Sequence, residues 1–200
     1  MKNNFNFRTK ISKEQIYQLP LKLFEGNIYL IDSETKFDKI INRLNNERVL
    51  GFDTETRPTF RKGKTNQVAL LQLATSTDAY LFRLNRIGLP ESLTRLLATK
   101  NIMKIGVALK DDLRTLQKLR DFKPEGFVDL QQYVKDFGIE DNGLKKLVAN
   151  ILNFRISKGQ QTSNWEVEDL TPQQMEYAAT DAWVCCEIFK KLNGSFHRNG

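Results

Sequence analysis

Three short segments carry carboxylates where a casual surface charge is out of place. Asp53-Thr54-Glu55 closes an apolar run from Val49 to Phe52. Residues two apart on a strand share a face, so both carboxylates leave the strand end on one side. Like charges beside an apolar sheet repel and are poorly solvated. A hard divalent cation, which prefers oxygen ligands, removes that conflict. A solvated loop start is the competing reading, because Asp-x-Glu alone is common. In Lys110-Asp111-Asp112, the helical stripe Leu109, Leu113, Leu116 and Leu119 runs beside Asp112, whereas Asp111 shares a face with Thr115 and Lys118. Asp112 is therefore the inward carboxylate, and Asp111 a charge favoured by the helix N-terminus. Tyr177 and Asp181 lie one helical turn apart, among Ala178, Ala179, Ala182, Val184, Cys185 and Cys186. Small neighbours let a helix sit close to a sheet. An Asp in that setting is either a ligand or the partner of a cap or a basic residue.

Four converging carboxylates are unfavourable without cations, and two divalent ions, Mg²⁺ or Mn²⁺, balance the charge. Such a pair, about 3.5–4 Å apart, clamps the attacking and leaving oxygens of a phosphoryl transfer. A tyrosine hydroxyl one turn from a ligand is placed to orient the attacking water.

Composition excludes several other chemistries. The single histidine, His197, leaves Ser-His-Asp triads and histidine-based zinc sites without their parts. The two cysteines, Cys185 and Cys186, are adjacent, too constrained for a comfortable disulfide, and read as buried and reduced. The balance of 31 basic to 24 acidic residues, net +7, suits a polyanionic partner such as nucleic acid. No apolar run approaches the ~18–20 residues of a membrane span, and the first residues lack the apolar stretch of a signal peptide. The expectation is a cytoplasmic protein with no membrane partner. At 200 residues it is one domain of ordinary size with a short arm.

The elements that must hold these carboxylates read as α/β. Residues 1–27 form an N-terminal arm, with a capping box at Ser12-Lys13-Glu14-Gln15 and Pro20 interrupting any long helix. Strands are expected at 28–31, 49–53, 67–74 and 80–82, with Asp78 in the turn before the last; their order reads as an antiparallel run. Helices are expected at 35–46 and from Pro90, then a strand at 103–107 and a helix through Leu113, Leu116 and Leu119. Phe127 to Leu130 reads as a short strand or a helix start. Further helices run through Tyr133 and Val134, over 143–152, and over 171–192, the last capped by Thr171, opened by Pro172 and closed by Gly194. Residues 195–200 are a tail, and 28–194 the catalytic domain.

The order and spacing of the three motifs resemble the DEDD superfamily of 3′–5′ exonucleases, of RNase H-like fold. The first motif matches Phe52-Asp53-Thr54-Glu55-Thr56, followed by the strand Val68 to Ala74. The second matches Lys104 to Asp112, and the third Tyr177-Ala178-Ala179-Thr180-Asp181. Glu176 stands where the histidine subgroup has its His, so the likeness is to the tyrosine subgroup (DEDDy), which includes ribonuclease D and Werner-type domains. One departure is Asp111, where Werner-type relatives usually carry Gly. The resemblance implies an RNase H-like mixed β-sheet flanked by α-helices and a two-metal 3′–5′ exonuclease. Asp53, Glu55, Asp112 and Asp181 would hold the metals and Tyr177 would position the water.

Substrate contacts are expected from Thr54, Thr56, Arg57, Phe60, Lys158 and Trp165. Arg57, with Arg61, Lys62 and Lys64, forms a basic loop behind the acidic strand, suited to phosphates or simply solvated. Lys158 belongs with Lys145, Lys146 and Arg155 to a second basic group. Phe60 and Trp165 are candidates to stack on a terminal base, with core packing the other role for Trp165. The expected partner is a single-stranded or recessed 3′ end, of DNA by the likeness of Ser163-Asn164-Trp165 to Werner-type domains. The alternatives are ribonuclease D-like RNA trimming and a non-catalytic nucleic-acid-binding module of the same fold.

Overall fold

The computed structural model describes residues 7–57 and 67–197, with side chains through residue 194. The described residues form one six-stranded sheet in the order β1-β4-β3-β2-β5-β6. The strands are β1 (Asn27–Ile31), β2 (Val49–Thr56), β3 (Val68–Ala74), β4 (Asp78–Arg83), β5 (Met103–Gly106) and β6 (Phe127–Asp129). Strands β2, β3 and β4 are antiparallel, as the short connections suggested. Strand β1 departs from that expectation: it crosses over and pairs with β4 in parallel. The crossover element is α2 (Glu34–Leu44), whose Phe37, Ile40, Ile41 and Leu44 are buried on the sheet, each worth about 1.5–3 kcal/mol of burial. A helix between two strands favours a parallel return, which a short-hairpin reading misses. Asp78 opens β4 rather than sitting in the turn before it.

Strand alternation sorts the core. Leu50, Phe52, Leu71 and Leu73 face a layer built from α2, α4 (Glu91–Leu97) and α5 (Leu109–Gln117). Leu70, Ala74, Ala79 and Leu81 face α8 (Pro172–His197) through its Ala178, Ala179 and Ala182. Gly51 fixes how close α8 comes: a Cβ there would stand 1.8 Å from the Ala182 carbonyl oxygen. Helix α8 continues through Gly194 to His197, so that glycine does not close it as expected. An interior Gly costs only about 1 kcal/mol, too little to end a helix otherwise well packed.

The remaining α-helices are α1 (Lys13–Tyr17), α3 (Leu84–Ile87), α6 (Leu130–Tyr133) and α7 (Leu144–Leu147), and the helix expected through Tyr133 and Val134 is α6 followed by a 3-10 helix at Val134–Phe137. The stretch expected as one helix over 143–152 is α7 followed by a π-helical turn at Val148–Leu152. Residues 7–26 are tied to the rest of the described chain by backbone hydrogen bonds to side chains. The Ile11 N–H donates to Asp141 Oδ2 at 2.8 Å, and the Phe24 N–H donates to Thr180 Oγ1 at 3.0 Å, one residue before Asp181.

Candidate active site

Strand β2 places Gly51, Asp53 and Glu55 on the face toward α8. Its last pairing with β5 is Gly51 with Ile105, so residues 53–56 run on past the end of β5. Two acidic residues, still paired with β3, therefore stand where β5 no longer flanks β2. Helix α8, drawn in by Gly51, brings Asp181 to the same spot, and carboxylate oxygens of Asp53, Glu55 and Asp181 lie within 4.8 Å of one another. Asp181 is 6% exposed, and its Oδ1 has no hydrogen-bond partner among the described residues.

Asp112 stands at the margin of this trio. It accepts a 2.5 Å hydrogen bond from Thr54 Oγ1, on the opposite face of β2 from Asp53 and Glu55. Thr54 was expected at the substrate; here its hydroxyl is held by a carboxylate. Asp111 is exposed, in agreement with the helix-face argument. The turn that presents α5 is held by a residue the sequence reading did not single out. Ala108 adopts a left-handed conformation, φ 58°, and cannot cap the helix itself. Asp129 does so from β6, accepting from the Ala108 N–H at 3.2 Å and the Leu109 N–H at 3.1 Å. It also caps α6 through the Gln131 N–H. The available signal was an Asp between an apolar strand and a helix start, the usual cap position.

The electrostatics follow from burial and crowding. Desolvation, then Asp181 and Asp112, push the Asp53 carboxyl well above its usual range. Desolvation, then the neighbouring carboxylates, push Glu55 up to about 10. Asp181 rises to about 7, mainly through burial, while the Tyr177 hydroxyl and Lys145 pull it back. Burial also raises Asp112, opposed by the Thr54 hydrogen bond. A site that penalises its own ionisation this strongly calls for protons or cations. The donors are hard carboxylate oxygens, and the orphaned Asp181 oxygen points to a further partner; both fit divalent metal.

An open cleft of about 320 Å³ adjoins Asp181 and Tyr177, walled by Gly143, Leu144, Lys145, Lys146, Lys158 and Gln161. Lys145 Nζ donates to the Ser157 carbonyl at 2.8 Å. Burial lowers its ammonium to about 8, so it remains charged at neutral pH. Lys158 is exposed on this cleft. Tyr177 is 7% exposed; burial, then the carboxylates around it, push its phenol far up, so it stays protonated.

The other expected contacts divide. Trp165 is 0% exposed and packs 6.1 Å from the Tyr177 ring. It takes the core role of its two readings, having no free face to offer a base. Arg57 forms an ion pair with Glu166 at 3.3 Å, and Thr56 is exposed where β2 slips register against β3. Phe60, Arg61, Lys62 and Lys64 lie outside the described residues.

The mouse bifunctional 3′–5′ exonuclease/ATP-dependent helicase WRN is 35% identical over 184 residues, covering 87% of this chain but 13% of that protein. Among solved structures, the Aedes aegypti Nibbler EXO domain superposes with a TM-score of 0.77 at 27% identity, over 90% of this chain and 93% of that one. Trypanosoma brucei RNase D in complex with RNA U12 also gives 0.77, at 20% identity, over 86% and 64%. The latter likeness concerns the fold, the RNase H-like mixed sheet flanked by helices. The family model for 3′–5′ exonucleases matches residues 28–196, a span running from β1 through all three acidic motifs to the end of α8, and the chain belongs to that family.

Proposed function

We propose that this chain removes nucleoside 5′-monophosphates from the 3′ end of a nucleic acid by metal-dependent hydrolysis. The observation that carries the reading is the convergence of Asp53, Glu55 and Asp181 within 4.8 Å on a partly buried, charge-penalised spot beside a lysine-lined cleft. Asp53, Glu55, Asp112 and Asp181 would hold two divalent ions, Mg²⁺ or Mn²⁺, which supply charge neutralisation at the phosphate and lower the pKa of water.

The chain's own groups do the rest. Tyr177, a neutral phenol, hydrogen-bonds the attacking water and aligns it with the terminal phosphate. Water oxygen bonds to phosphorus as the bond to the 3′-oxygen of the penultimate nucleotide breaks, leaving a new 3′-hydroxyl. Lys145 and Lys158 contact phosphates of the entering strand. Thr54 holds Asp112 in readiness. Tyr177→Phe keeps the ring and removes the hydroxyl. It should lower kcat about 10–100-fold, the lower range of acid–base and orienting contributions, and leave KM and Mn²⁺ affinity near wild type. Unchanged kcat would remove Tyr177 from the chemistry.

The test of the reaction uses 5′-labelled DNA and RNA of matched sequence with Mg²⁺, Mn²⁺ or chelator. We expect a metal-dependent ladder shortening from the 3′ end, with DNA the faster substrate, the Ser163–Trp165 segment being the support for DNA. Faster RNA cleavage would reassign the substrate to ribonuclease D-like trimming. Binding without cleavage would make the chain a non-catalytic module.

A further inference from the structure

Strand β3 reads Val68-Ala69-Leu70-Leu71-Gln72-Leu73-Ala74, and each of its residues is buried. Gln72 is the one polar side chain in that run. It is 0% exposed, and neither its Nε2 nor its Oε1 has a hydrogen-bond partner among the described residues. Exchanging the amide oxygen and nitrogen does not help, because both are unpaired. A buried carboxamide with no partner is a standing cost that leucine or methionine would not carry. Such a group calls for a partner that the described residues do not supply.

Its position names that partner. Gln72 stands directly across the antiparallel pair from Asp53, and on its other side across from Leu81. Opposed residues share a face of the sheet, with Cβ atoms about 5 Å apart. That face is the one covered by α8, as its neighbours Leu70 and Ala74 show by packing on Ala178 and on Ala179 and Ala182. Gln72 thus lies on the inner flank of Asp53, within the protein.

We propose that Gln72 is a positioning residue of the metal centre: in the loaded site its carboxamide N–H donates to the ionised Asp53 carboxylate and fixes how that carboxylate faces the cation. This rests on the metal-centre reading above. An ionised Asp53 held against a cation requires a neutral donor, and Gln72 supplies one without adding charge. Partners of this kind set ligand orientation, and their loss costs about 10–100-fold in metal affinity or activity.

The test is Gln72→Met, which keeps length and removes both hydrogen-bonding atoms. Three quantities are measured on the full chain: melting temperature in chelator, Mn²⁺ affinity by electron paramagnetic resonance of the free ion, and kcat and KM for 3′-end shortening. We expect a melting temperature in chelator equal to or above wild type, Mn²⁺ bound about tenfold more weakly, and KM for the strand unchanged. Mn²⁺ affinity within twofold of wild type overturns the assignment. So does a marked fall of the melting temperature in chelator, which would make Gln72 a packing residue. Wild-type protein that binds no Mn²⁺, or Asp53→Asn protein that binds it as tightly as wild type, would instead strike the metal-centre reading itself.

Discussion

Asp112→Asn loses roughly a thousandfold in kcat, and Asp111→Asn stays within about threefold of wild type, a separation of about 3–4 kcal/mol in transition-state stabilisation. The two residues are neighbours in the first turn of α5 and differ only in direction. Asp112 follows buried Leu109 by three, is partly buried, and is grasped by Thr54. Burial raises its carboxyl, and its charge in turn raises those of Asp53 and Glu55. Asn keeps the shape and the Thr54 contact while removing the charge a cation needs. Asp111 is exposed and favours the helix N-terminus by no more than about 1 kcal/mol. Single-turnover cleavage of a labelled strand at saturating Mg²⁺, with circular dichroism to show both variants folded, measures the pair. The reverse order would assign Asp111 as the ligand and rotate α5 by about 100° from the orientation described here.

How much of this was legible beforehand depends on whether a residue's role is local. The spacing of Tyr177 and Asp181 on one helix, and of Asp53 and Glu55 on one strand, is fixed by backbone period alone, so their shared faces could be read directly. Asp112 could be separated from Asp111 for the same reason. Trp165 could not be decided, since an aromatic residue beside a basic segment serves a core and a base equally well until its burial is known. The role of Thr54 depends on where α5 enters, and that depends on Asp129, far along the chain, holding the left-handed turn at Ala108. Lys104 makes the same point away from the site. It sits in a strand, fully buried, and satisfies its ammonium with the carbonyl of Leu96 in the last turn of α4 and those of Thr99 and Ile102 in the connection to β5. No periodicity announces a lysine used as a helix cap from another element. Strand β1 was misplaced because pairing order is a property of the whole sheet, whereas hairpin signals are read one connection at a time.

The crowded carboxylates have a consequence for stability that needs no substrate. Asp53, Glu55, Asp112 and Asp181 all have folded-state values raised above their unfolded ones. The folded protein then holds more protons than the unfolded chain, so unfolding free energy falls as pH rises. The contribution is intact below the unfolded carboxylate range and is lost as pH climbs through the folded values, about 7 for Asp181 and about 10 for Glu55. In chelator, going from about pH 5 to about pH 8 should cost on the order of 2–3 kcal/mol through Asp181 alone. That corresponds to a melting temperature lower by about 5–10 °C for a chain of this size. Asp181→Asn should flatten the slope, because its site no longer exchanges a proton. Millimolar Mg²⁺ or Mn²⁺ should raise the melting temperature at both pH values, and more at the higher one. Binding stabilises the folded state by mass action, and at low pH the cation must first displace the protons that already neutralise its ligands. Thermal unfolding followed by circular dichroism gives all of these curves. A flat pH dependence in chelator, or a metal effect equal at both pH values, would mean that the carboxylates are solvated as ordinary surface charges. In that case their convergence would carry no metal centre, because the same repulsion that destabilises the metal-free protein is what would draw a divalent cation into the site.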